Sequence, residues 1–171
     1  MSGHNLLFPA NLATEKPGSY QHRLEVLENI FSLIPAMSDL DTEAVTANDC
    51  YGRIEEILAG LLSTYNITLD IGTTPEGKHA YHEKLISKFA EASTPAALRQ
   101  PLGSGPIQGV LGDCKTFRND YKNYMAGTET QAGLWPSLVA AVGGLPLVIK
   151  AVKVACHNAS VMDKILIPLK Q

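Results

Sequence analysis

From Pro75 onward, five prolines each stand just before an apolar run with helical periodicity: Pro75, Pro95, Pro106, Pro136 and Pro146. Proline suits the first turn of a helix, where its missing N–H would find no partner and its fixed φ is already helical. Glycine closes the preceding segment at Gly72, Gly103, Gly127 and Gly144, as expected of a residue that tolerates the left-handed conformation at helix ends. The pattern predicts one helix after another. The single stretch with strand-like alternation, Asn66 to Gly72, has no second run to pair with and reads as an extended connector. The expected fold is all-α: an irregular bundle of five to seven helices around one core.

Two helices are expected before that series. Ser19 can cap the first, whose apolar positions are Tyr20, Leu24, Leu27, Phe31 and Ile34, and Pro35 ends it. Asp39 or Asp41 caps the second, with Val45, Cys50, Ile54, Ile57, Leu58, Leu61 and Leu62 on its apolar face. Gly52 and Gly60 lie inside it and each costs about 1 kcal/mol relative to alanine. The helix after Pro106 has the clearest periodicity: Ile107, Val110, Leu111, Cys114, Phe117, Tyr121, Tyr124 and Met125 against Lys115, Arg118, Asn119, Lys122 and Asn123. The segment Arg99–Pro106 is the best hinge. Residues 1–19 read as an extended arm carrying Leu6, Leu7, Phe8 and Leu12. That is more apolar than an unstructured tail, so the arm is expected to dock on its own body or on a neighbour. Residues 20–171 form one helical domain.

Thr130 to Ile149 is a run of twenty residues without a formal charge. A helix of that length is sufficient to span a bilayer. Pro136, Gly143, Gly144 and Pro146 are expected to divide it into two short pieces. Neither piece would cross ~30 Å of hydrocarbon. The expected structure is a helix–turn–helix hairpin in a core or interface, and membrane contact is disfavoured.

Charged residues make up 18% of the chain, against about 25% in an average protein. Such a surface is covered with small polar residues or buried against another molecule. The net charge of −3 disfavours nucleic acid, whose partners carry a basic excess. Cys50, Cys114 and Cys156 are odd in number and have no Cys-x-x-Cys spacing. They read as buried free thiols of a reducing compartment rather than a disulfide framework. The expected location is the cytoplasm or a particle assembled inside the cell.

Chemistry is sparse. Glu76, His79, His82 and Glu83 include a single Glu-x-x-His turn. A dimetal centre needs a second turn of that kind and carboxylates from other helices; Glu55 and Glu56 are the nearest candidates. No nucleophile elbow, phosphate loop or dinucleotide fingerprint occurs, and no cofactor is expected. Lys150, Lys153 and His157 fall at i, i+3 and i+7 as a basic stripe that could meet acidic groups of a partner. The candidate partner contacts are therefore Leu6, Leu7, Phe8, Lys150, Lys153 and His157. The expected function is a non-enzymatic structural or adaptor subunit, forming a homo-oligomer or joining other protein subunits in a larger assembly such as a viral particle or secretion complex. The alternative is a small helical enzyme or a ligand- or metal-binding protein with its site around Glu76, His79, His82 and Glu83.

Overall fold

The computed structural model describes residues 20–34, 37, 39–69 and 81–170, with side chains as far as Val161. The expected arm, Ser19, Pro75, Glu76 and His79 lie outside the described residues. The chain is all-helical: α1 (Tyr20–Leu33), α2 (Leu40–Thr64), α3 (Tyr81–Lys88), α4 (Ala96–Leu102), α5 (Gly105–Met125) and α6 (Gln131–Lys170). No strand occurs among the described residues.

Local chemistry sets the helix ends. Asp39 caps α2, its carboxylate accepting from the Thr42 N–H at 2.8 Å and the Thr42 hydroxyl at 2.9 Å. These two bonds hold the Asp39 carboxyl below its usual range. Asn66 ends α2 in the left-handed region at φ 58°. The Ile67 N–H returns to the Leu62 carbonyl at 2.9 Å and the Asn66 N–H to Ser63 at 3.0 Å, so two terminal carbonyls are satisfied in a Schellman arrangement. Gly127, at φ 84°, closes α5 in the same way, with Thr128 returning to Asn123 and Gly127 to Tyr124. Thr130 then starts α6, its hydroxyl accepting from the Gly133 N–H at 3.0 Å.

The largest departure from expectation is α6. It runs without interruption through Pro136, Gly143, Gly144 and Pro146, so there is no hairpin. An internal proline forfeits one helical hydrogen bond and costs about 3 kcal/mol, so strong packing must hold this helix together. Leu134, Leu138, Ala141, Leu145, Val148, Val152, Ala155 and Ala159 are all at most 2% exposed. Their spacing alternates four and three over the whole length, which places them on one face. That face is covered by α5 above all, and by α1, α2 and α4. At ~1.5–3 kcal/mol for each large apolar side chain buried, the seam outweighs two prolines.

Several smaller expectations also change. Pro106 lies in the first turn of α5 as expected, but Pro95 is the cap before α4. The hinge at Arg99–Pro106 shrinks to Gly103 and Ser104, because Arg99 to Leu102 are helical around Pro101. Val45 and Met125, expected on apolar faces, are exposed, whereas Cys50, Ile54, Ile57, Leu58, Leu61 and Leu62 are buried as anticipated.

Hydrogen bonds from side chains pin the short elements. The Gln108 amide donates to the Ile86 carbonyl at 2.9 Å and the Leu102 carbonyl at 3.0 Å, joining α3, α4 and α5. The Asn158 amide donates to Ala97 at 2.9 Å, joining α6 to α4.

The two adjacent glycines of α6 have different surroundings. A Cβ on Gly144 would stand 2.3 Å from Val110 Cγ1, whereas one on Gly143 would meet nothing within 4 Å. Gly144 thus lets α5 and α6 approach closely. Gly143→Ala is expected to raise the unfolding free energy by about 0.5–1 kcal/mol through helix propensity. Gly144→Val is expected to lower it by about 2 kcal/mol through overpacking against a stiff β-branched neighbour. Urea denaturation of the two variants checks both signs.

Candidate functional site

Two surfaces stand out among the described residues: a polar cleft between α2, α3 and α5, and the outer face of α6.

The cleft is organised by Glu55, a carboxylate on α2 whose side chain is only 8% exposed. Its Oε1 accepts from Arg118 Nη1 of α5 at 2.8 Å, and its Oε2 lies 2.6 Å from His82 Nδ1 of α3. An ionised carboxylate can only accept, so His82 carries its proton on Nδ1. The Arg118 guanidinium also lies over the Tyr51 ring, 5.7 Å from its centroid, within range of a cation–π contact. Gly52 makes room for it, since a Cβ there would sit 3.0 Å from Nη1. Asp49 is the other nearby carboxyl; burial raises its pKa and Arg118 lowers it, with burial dominant. Burial, with the charge of Glu55, also pushes the Tyr51 hydroxyl far above its usual range.

In front of Arg118 and His82 opens a cavity of about 790 Å³. Asn48 contributes from α2, His82 and Glu83 from α3, and Lys115, Thr116, Arg118, Asn119, Tyr121 and Lys122 from α5. Lys115, Arg118 and Lys122 follow i, i+3 and i+7 spacing, which puts them on one side of α5. The structure therefore brings two of the four candidate residues, His82 and Glu83, to a cleft. It also pairs His82 with Glu55, the carboxylate that local motif reading could name only as a neighbour. No group of three or more metal-binding side chains occurs among the described residues. Arg118 was missed as a site residue because it reads as one more polar position on an amphipathic helix. The signal for it lay elsewhere, in a glycine at position 52 inside an otherwise good helix.

The outer face of α6 carries Trp135, Val139, Leu147 and Val154, between 44% and 50% exposed. Pro136, Ala140, Gly143 and Pro146 are exposed among them. From Ala132 to Leu147 this face has no charge. Lys150 and His157 are exposed further along it, and Lys153 lies between them on the same side, less exposed. Lys153 is half-buried and its ammonium pairs with Glu28 of α1 within the same chain, so Lys150 and His157 are the two more exposed members of the basic stripe. Gln131–Val161 is long and apolar enough to cross a membrane, with an 18-residue window of mean hydropathy 1.9. The expectation that breaks would leave two short pieces does not hold. One face of this helix, the seam, is covered by four other helices, and 44% of the apolar window is buried. Comparisons with known protein families, curated proteins and solved structures gave no match.

Cys50, Cys114 and Cys156 are all buried and free. Burial pushes each thiol up to about 12, so at pH 8 only about one in 10,000 is a thiolate. Native protein is expected to be inert to a thiol-specific disulfide reagent at pH 8 and to release three equivalents once denatured. Glu55→Gln keeps the shape but replaces one accepting oxygen by an NH₂ that faces another donor. It is expected to cost about 1–3 kcal/mol, read by urea denaturation, with a smaller loss in an Arg118→Met background.

Proposed function

We propose that the protein is a non-enzymatic structural or adaptor subunit that associates through the outer face of α6. The carrying observation is the uncharged exposed strip from Ala132 to Leu147, with Trp135 and Val139 each half exposed. Large apolar side chains scattered singly on a surface mean little, but a contiguous line of them along one helix marks a contact surface. The low charge content, 18%, supports the same reading. A second copy or another protein subunit is the proposed partner, within an assembly formed inside the cell. Protein is favoured over nucleic acid because the strip carries no cation before Lys150.

The chain has one tryptophan, and it lies on this strip. The purified protein is expected to scatter light as a stable oligomer, with blue-shifted emission from Trp135. The double variant Val139→Glu/Leu147→Glu is expected to be monomeric with unchanged helix content and red-shifted emission. A wild-type chain that stays monomeric at high micromolar concentration, with emission independent of concentration, would remove self-association.

A further inference from the structure

The cleft in front of Arg118 is independent of the α6 strip and has its own chemistry. Its wall is rich in donors. Lys115, Arg118 and Lys122 bring three cations from one helix, and Asn48, Asn119 and Thr116 add neutral donors. Among the described residues, Glu83 is the one carboxylate on that wall. Glu55 lies behind it, with one oxygen on Arg118 and the other on His82. It therefore acts on a ligand through those two side chains, by fixing where they stand. Asp49 is another carboxyl close to Arg118, whose charge works against the upward pull of burial on its pKa.

Fixed position matters here. A guanidinium held by a buried carboxylate and laid over an aromatic ring loses less freedom when it binds than a loose surface arginine. Arg118 has five N–H donors in all, and its recorded bond to Glu55 uses Nη1 alone. Lys115 and Lys122 stand one turn to either side as mobile point charges. A rigid planar donor flanked by flexible ammonium groups suits a tetrahedral oxyanion carrying more than one charge. The cavity volume of about 790 Å³ is within the range of small-molecule sites, roughly 300–1,000 Å³. A phosphate group would occupy a small part of it. Tyr121 and Met125 supply apolar surface for an organic body.

We propose that the cleft between α2, α3 and α5 binds a small phosphorylated molecule, with Arg118, Lys115 and Lys122 holding the phosphate and His82 at its edge. No bond is made or broken: the site is a receptor for the anion. Glu83 limits the site to ligands that keep their phosphate on the α5 side.

Isothermal titration of the full chain with AMP, adenosine and inorganic phosphate tests this. AMP is expected to bind saturably, adenosine at least tenfold more weakly, and inorganic phosphate alone detectably. Lys115→Ser/Lys122→Ser removes two exposed or half-buried cations without touching the core. It is expected to weaken AMP at least tenfold while thermal stability stays unchanged. Arg118→Lys keeps the charge but not the planar fork and is expected to weaken AMP as well. Absence of AMP binding up to about 10 mM, a scale at which only about −2.7 kcal/mol is needed, would overturn the proposal. So would adenosine binding as tightly as AMP, or AMP affinity unchanged in the Lys115→Ser/Lys122→Ser variant. Repeating the titration with Val139→Glu/Leu147→Glu separates the two surfaces: AMP affinity is expected to be the same in the monomer.

Discussion

The rest of the structure depends on the seam of α6. Eight small or aliphatic side chains, from Leu134 to Ala159, alternate at four- and three-residue steps and are shielded from water almost completely. Four helices that share few contacts with one another meet on that line. Removing it would leave α1 and α4 with little to pack on. The seam also explains why Pro136, Gly143, Gly144 and Pro146 survive inside a helix. Gly144 is needed at the closest approach of α5, and the prolines sit on the exposed side, where their rings displace no core atom.

The helical class and most of the core were legible in the sequence. Periodicity placed Leu24, Leu27, Ile54, Leu58, Leu111 and Phe117 inside, and all are buried. The cap at Asp39 and the stop at Gly127 were visible because each depends on a few adjacent residues. The hairpin reading of α6 failed for an instructive reason. Proline and glycine are local signals worth about 1–3 kcal/mol each, whereas a heptad seam sums over the whole helix. The spacing from Leu134 to Ala159 runs straight through the Gly-Gly-Leu-Pro junction, and that continuity was the stronger signal. Where local and long-range patterns disagree, the longer pattern wins if it buries more surface.

The cleft was only half legible. His82 and Glu83 were visible as a cluster in the chain, but Glu55, which His82 shares with Arg118, and Arg118 itself lie 27 and 36 residues from His82 in sequence. Nothing in periodicity reveals such a meeting. The composition of α5 gave a polar face without saying which helices it looks towards. Glycine at position 52 would have pointed to a close approach, since a strong helix former costs nothing on an ordinary face.

The shared carboxylate of Glu55 has a consequence for how the molecule opens. The described part of α3 spans eight residues, a length that relies on tertiary packing for its stability. Its order comes from docking: Leu85, Ile86 and Phe89 in the core, Gln108 on the Ile86 carbonyl, and His82 on Glu55. It packs on α5 and α2. Detaching α3 would separate His82 from Arg118 and open the cleft on one side. The cleft therefore depends on α3 staying docked as well as on the α6 seam that holds α5.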